Sequence, residues 1–252
     1  MASAGKLKTD QLMKDRLADL LREEIVKGVL RPGDRVIEAK WAATFQAAPG
    51  SIREAIHILS LEGYLFKSSG HSARVVHLTP QDVSQLYELR GALEGLAARL
   101  AAARSKDFSE LQTAVIRMRA ALRLNDRDLL LKHDLRFHLE LCRLADNIHL
   151  QEHAYRVLMP FFAFAQLRIA ALPLDLTVWE AHFAAHQRII DLLRDGEGEL
   201  AEQYVRRAMR LFEETTSMAW GGIDEMHTPR HSPGGGLSLQ AMVASTPGST
   251  AR

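Results

Sequence analysis

Ser51-Ile52-Arg53-Glu54-Ala55-Ile56-His57-Ile58-Leu59-Ser60-Leu61-Glu62-Gly63 is the stretch on which the reading of the fold turns. Ile52, Ala55, Ile56 and Leu59 recur at helical spacing and share one face. Ser51 and Glu54 have the spacing of a capping box, Gly63 supplies a stop, and Ala48-Pro49-Gly50 breaks the chain just before. Downstream, Tyr64–Lys67 and Ala73–His77 are short β-type runs around the polar turn Ser68-Ser69-Gly70-His71-Ser72, the pattern of a hairpin. Upstream, Asp10–Lys27 reads as a helix with Leu12, Leu17, Leu20, Leu21 and Ile25 on one side, ended by Gly28. Pro32-Gly33-Asp34 predicts a turn, and Ile37–Phe45 a short helix.

Three helices followed by a hairpin are the layout of a winged helix-turn-helix, whose third helix enters the major groove of DNA. In that layout Gly50, Ser51 and Arg53 begin the reading helix, and the Arg53 guanidinium suits guanine or a phosphate. Lys67, Ser69, Gly70 and His71 of the wing would meet the flanking backbone or minor groove. A small structural α/β domain with a solvated Arg53 fits the same pattern of elements.

From Thr79 onward the pattern changes to long helices, predicted at Pro80–Ala103, Phe108–Asn125, Asp128–Ala145, Ile148–Ala171, Leu174–Arg194 and Gly198–Met218. The expected fold class is therefore mainly α, a winged helix-turn-helix over 10–78 followed by an all-α bundle over 79–220. Residues 1–9 and the Gly-, Ser-, Thr- and Pro-rich tail 221–252 are expected to be disordered.

The 252 residues carry 32 Lys plus Arg against 31 Asp plus Glu, a net charge of +1 that by itself disfavours a general nucleic-acid binder. Split by segment, residues 1–78 hold 12 basic and 9 acidic residues and 79–220 hold 18 and 20, so near-neutrality is an average over unlike halves. The modest front excess predicts DNA binding that depends on placed contacts and dimerisation. Cys142 is the single cysteine, which excludes an intrachain disulfide framework and a Cys-rich zinc module. No apolar run approaches a membrane span and Met1–Lys8 lacks the apolar core of a signal peptide, so a cytoplasmic location is expected.

Within the bundle, Leu130, Asp134, Phe137, His138, Leu141 and Leu144 share one helical face, which places a carboxylate and an imidazole in the core-facing stripe. A buried carboxylate needs a partner. Spacing of four converges the two tips, which suits a metal ion, a bound ligand or a plain structural hydrogen bond. A second helix repeats the theme, with His182 and His186 set into the apolar face of Trp179, Phe183, Ile190 and Leu193. Arg90 falls with Val83, Leu86, Tyr87, Leu93 and Ala97 on an inward face, where either a ligand carboxylate or Glu94 one turn on would satisfy it. His149 and His153 read as surface or packing histidines, and Cys142 as a small buried hydrophobe.

The runs Leu30-Arg31-Pro32-Gly33-Asp34-Arg35-Val36-Ile37-Glu38, Ser51-Ile52-Arg53-Glu54-Ala55-Ile56 and Leu61-Glu62-Gly63-Tyr64 resemble the N-terminal domain of the GntR family of bacterial transcription regulators. Leu78-Thr79-Pro80-Gln81-Asp82-Val83, Leu86-Tyr87-Glu88-Leu89-Arg90 and Leu93-Glu94 resemble the start of its FadR-like effector domain, the FCD domain. The resemblance covers roughly Asp10 to Met218. It implies a homodimer that binds operator DNA and senses a small organic acid, with Arg53 on a DNA-contacting arginine, Gly70 on the wing glycine and Arg90 facing the effector cavity. Pro49 stands where many members have a DNA-contacting arginine; Arg35 and Lys40 are candidates for compensating phosphate contacts.

Members with a metal site, zinc or nickel for example, match it at Asp134, His138 and His186, but the fourth position, a histidine in the family, is Ala208 here. Three outcomes follow: a three-ligand site completed by water or effector, direct binding of an organic effector without metal, or recruitment of His182, in that order of expectation. The leading function is a ligand-responsive transcription regulator, acting through the pose of its two DNA domains. The alternatives are a helical-bundle hydrolase or isomerase using Asp134, His138 and His186 with a metal-bound water, and a protein-interaction module.

Overall fold

The computed structural model describes residues 2–67, 72–169 and 176–221, with side chains over 13–67, 72–167 and 178–214. Two compact units divide between His77 and Leu78. The first contains α1 (Ala2–Val26), α2 (Glu38–Thr44), α3 (Pro49–Leu61) and an antiparallel pair, β1 (Leu65–Phe66) with β2 (Arg74–Val75), in which Leu65 faces Val75. α1 packs against α3, and Leu17, Leu21 and Ile25 of the one and Ile52, Ala55 and Leu59 of the other are buried in the core of this unit. Each large side chain so buried contributes about 1.5–3 kcal/mol relative to exposure. Arg22 on α1 donates through Nε to Glu62 at 3.2 Å, tying the end of α3 to α1.

Two local expectations change. The helix expected from Asp10 begins at Ala2, because alanine, lysine and leucine are good helix formers and extend an established helix readily. The expected capping box at Ser51 and Glu54 does not form: α3 starts three residues earlier, with Ala48 in place of Ser51 as N-cap and no side-chain cap. Pro49, whose fixed φ suits the first helical turn, sets that start, so Ser51 is already inside and its N–H donates to the Ala48 carbonyl at 3.0 Å.

The turn at Pro32-Gly33-Asp34 leads into backbone that pairs with the hairpin. Gly33 N–H donates to Val75 O at 3.0 Å, Val75 N–H to Asp34 O at 3.0 Å and Val36 N–H to Ala73 O at 2.8 Å. Gly33 takes φ +85°, a left-handed conformation that favours glycine.

The second unit holds α4 (Pro80–Arg104), α5 (Ser109–Arg123), α6 (Arg127–Leu144), α7 (Ile148–Ile169), α8 (Leu176–Arg194) and α9 (Gly198–Gly221). A capping box opens α4: Asp82 N–H donates to Thr79 Oγ1 at 3.1 Å and Thr79 N–H to Asp82 Oδ2 at 2.9 Å. α4 and α9 run antiparallel at close range, since a Cβ on Gly95 would lie 3.2 Å from the Glu202 carbonyl and one on Gly198 2.9 Å from the Arg99 carbonyl. α6 packs against α4, α5 and α7 and carries Leu130, Phe137 and Leu141 with no exposure. Pro160 lies inside α7, where it removes one helical hydrogen bond immediately before Phe161 and Phe162.

Candidate functional site

In the first unit the reading-helix residues are solvent-facing. Gly50 and Arg53 are exposed and Ser51 half-buried at the start of α3. A Cβ on Gly50 would meet nothing within 4 Å, so packing does not require glycine there. Arg53 is 63% exposed and its Nε lies 3.2 Å from Glu38 Oε2 on α2, while Lys67 Nζ lies 4.0 Å from Glu38 Oε1. One carboxylate thus sits between two of the expected DNA contacts. Arg35 donates to Ser72 Oγ at 2.9 Å, and Lys40 Nζ stands 5.2 Å from the centre of the Trp41 ring. Ser69, Gly70 and His71 lie outside the described residues.

The second unit brings Arg90 and Glu94 from α4, Asp134 and His138 from α6, and His186 from α8 together, each 4% exposed or less. Five polar side chains from three helices meet in an otherwise apolar interior. Arg90 Nε donates to Glu94 Oε1 at 2.7 Å, and its Nη2 faces His138 Nε2 at 3.3 Å. The guanidinium lies over the rings of Phe161 at 4.5 Å and Phe162 at 5.2 Å. The pairing with Glu94 is the structural alternative read from the sequence. Glu94 also takes the Nδ1–H of His138 through Oε2, a contact the sequence reading missed; its signal was a second charged residue on the buried face of α4.

Asp134 Oδ1 is the convergence point. His138 Nε2 lies 3.4 Å from it, His186 Nε2 3.1 Å and His182 Nε2 3.0 Å. Burial opposes ionisation of Asp134, yet the imidazoles of His182, His138 and His186 around it hold its pKa well below the carboxylate range. Glu94 is lowered to about 2, against the penalty of burial, by Arg90 and then His138. His186 is lowered to about 4 by burial and by His182, so at neutral pH it carries one proton. That proton is located, because Nδ1 faces the His182 carbonyl at 2.8 Å and a carbonyl only accepts.

The lone pair of His186 Nε2 is therefore left over. It is buried and makes no hydrogen bond, the approach to Asp134 being close but misaligned. An imine lone pair beside an ionised carboxylate asks for a cation between them. Asp134, His138 and His186 offer donor atoms that all lie within 4.8 Å of one another, one oxygen and two nitrogens, a set suited to a divalent transition metal. The backbone carbonyl on His186 and the Glu94 carboxylate on His138 are the outer partners that fix a ligating tautomer. The residues present fit such an ion.

Ala208, where the family resemblance places a fourth histidine, is buried on α9. A cavity of about 100 Å³ adjoins the cluster, lined by Arg90, Asp134, His138 and His182 among aromatic and aliphatic side chains including Tyr87, Phe161, Phe162, Trp179, Met209 and Phe212. Cys142 is buried, and burial pushes its thiol pKa up, so it is no nucleophile. His153 donates to the His149 carbonyl at the exposed surface, apart from the site.

The FCD domain family matches residues 85–211, and the family described as bacterial regulatory proteins, gntR family, matches residues 13–75. The chain belongs to the GntR family and carries an FCD domain. This GntR chain is 27% identical over 225 residues to the "Probable D-xylose utilization operon transcriptional repressor" of Paenarthrobacter nicotinovorans, covering 89% of the chain and 97% of that relative. It is 29% identical over 206 residues to the "Nta operon transcriptional regulator" of Aminobacter aminovorans, covering 79% and 92%. The fold matches the E. coli protein McbR/YncC with a TM-score of 0.64 at 16% identity, covering 83% of this chain and 99% of that one. A GntR regulator from Rhodococcus sp. RHA1 aligns at 0.60 and 22%, covering 80% and 96%. The GntR chain is a DNA-binding transcription regulator of the ligand-sensing kind, and the hydrolase or isomerase reading finds no support. No helix of the described residues is long and apolar enough to cross a membrane.

Proposed function

We propose that this regulator acts as a homodimeric repressor that senses a small organic acid in the cavity of the helical unit, with a divalent metal held by Asp134, His138 and His186. The observation that carries the reading is the buried, unpaired Nε2 of His186 facing ionised Asp134 beside that cavity. A bound ion supplies a Lewis-acidic anchor for a carboxylate. Arg90, held by Glu94 and the two phenylalanine rings, adds positive potential to the same cavity. Its remaining wall is mainly aromatic and aliphatic, which favours an acid with a compact apolar body over a polyol. On DNA, Arg53 with Gly50 and Ser51 reads the major groove, Arg35 and Lys40 touch phosphates, and Lys67 with Ser69, Gly70 and His71 forms the wing contact.

Effector and operator each lower affinity for the other by the same factor. The test is fluorescence anisotropy of the full chain on its own upstream DNA, across salt concentrations, with Arg53→Ala as comparison. Saturable binding to one segment, weakened in Arg53→Ala, supports the reading. Equal affinity for upstream and random DNA overturns it.

A further inference from the structure

Ala208 leaves α9 without a ligand where the family pattern has one, and α9 offers the apolar Met209 and Phe212 to the cavity. On α8, one turn before His186, His182 places its Nε2 3.0 Å from Asp134 Oδ1. This is the oxygen that His186 Nε2 approaches at 3.1 Å and His138 Nε2 at 3.4 Å. Three imidazole nitrogens therefore surround one carboxylate oxygen, all presented by α6 and α8.

We propose that His182 is the fourth protein ligand of the metal, replacing the histidine missing from α9. The assignment rests on the metal reading above. Histidines four apart on a helix lie on adjacent turns of one face, and such a pair can hold a single ion. The pairing does double work, because the carbonyl of His182 accepts the Nδ1–H of His186 and so aims the other ligand. His182 is itself held in place: its ring meets Phe212 edge-on at 4.6 Å between centroids and Trp179 at 5.2 Å. Its side chain is 14% exposed, the most open of the four ligands and the one nearest solvent.

A site built this way leaves α9 outside the coordination, so an acid bound at the metal meets α9 only through Met209 and Phe212. It also bears on the identity of the ion. Four protein ligands close a tetrahedral zinc, whereas an octahedral ion keeps two positions for a carboxylate. Sensing through the metal then belongs to an ion of octahedral preference.

The test is cobalt(II) titration of the full chain stripped with chelator, reading affinity and the visible absorption band. Wild type, His182→Ala, His182→Gln and the double variant His182→Ala with Ala208→His are compared, with circular dichroism confirming the fold. The expected result is one cobalt per chain in wild type and a loss of affinity on the order of 10–100-fold in both single variants, with a changed band. Ala208→His is expected to restore much of the affinity. Wild type that takes up no cobalt overturns the metal reading and this assignment together. Wild type that takes up cobalt, with single variants matching it in affinity and band, overturns the role of His182 alone.

Discussion

Replacing Glu94 by glutamine removes one charge from the buried ionic cluster of the helical unit while keeping the side-chain shape. Glu94 is 1% exposed, accepts from Arg90 Nε at 2.7 Å and from His138 Nδ1, and its pKa falls from 4.5 to about 2. The sign follows from that depression: the stabilisation is fully present above the unfolded value of 4.5 and is lost as pH falls toward 2. A shift of that size corresponds to about 3 kcal/mol. Removing one partner of a buried pair also leaves Arg90 uncompensated, a defect of about 3–5 kcal/mol at neutral pH. Glu94→Gln is thus expected to lower stability by at least about 3 kcal/mol at pH 7, with the gap to wild type closing between pH 4.5 and 2. The assay is urea unfolding of the helical unit followed by circular dichroism at a series of pH values, with chelator present so that metal binding does not contribute. A variant as stable as wild type at pH 7, or a gap of constant size down to pH 2.5, refutes the reasoning.

Four further outcomes are expected. Arg53→Ala changes stability by less than about 0.5 kcal/mol, its ion pair with Glu38 being exposed, yet weakens operator binding by about 1–3 kcal/mol in an anisotropy titration. Phe137→Ala, which empties the fully buried ring 4.2 Å from that of His186, costs about 3–5 kcal/mol in urea unfolding and lowers cobalt uptake. Gly95→Val, which puts a branched side chain where a Cβ alone lies 3.2 Å from the Glu202 carbonyl, destabilises the α4–α9 contact by about 1–3 kcal/mol in thermal unfolding, whereas Gly50→Ala leaves stability unchanged or slightly raised. Thr79→Ala, by losing the side-chain half of the capping box, costs about 1 kcal/mol in the same assay.

The helical periodicity of the stretch 51–63 placed the apolar face of α3 in the core, because burial there depends only on spacing. Its start was not legible in the same way. Ser51 and Glu54 carry the letters of a capping box, but Pro49 fixes φ two residues earlier and takes the helix start with it. The capping box that does form, Thr79 with Asp82, has the same spacing and a proline directly after the cap. Which of two similar signals wins is decided by the neighbouring proline, a point that a pattern of polar residues does not contain. In the bundle, spacing of four announced Asp134 with His138 and placed His182 and His186 in an apolar face. That these four meet at one carboxylate oxygen depends on tertiary packing, since α4 and α5 each pack against both α6 and α8 and so bring their side chains together. The role of Glu94 was half legible: its pairing with Arg90 is local, one turn along α4, while its bond to His138 crosses to another helix.

Pro49 and Ala208 are the two departures from the family pattern, and they bear on different surfaces. Pro49 stands where the resemblance places a DNA-contacting arginine, and it sets the start of the helix on which Arg53 stands. Ala208 stands where the resemblance places a histidine ligand, and His182 Nε2 lies 3.0 Å from Asp134 Oδ1. In the DNA-binding unit Glu38, within reach of both Arg53 and Lys67, lowers the positive potential that those residues present. If Arg53 contacts DNA as proposed, it exchanges Glu38 for DNA on binding.

The central claim is that occupancy of the cluster around Asp134 changes affinity for DNA. Its most direct test is the dissociation constant for the upstream DNA, measured by anisotropy on cobalt-loaded wild type and Asp134→Ala across a panel of small carboxylic acids. At least one acid is expected to shift the wild-type constant by about fivefold or more, with no response in Asp134→Ala. An equal shift in Asp134→Ala, or no shift with any acid in wild type, contradicts it.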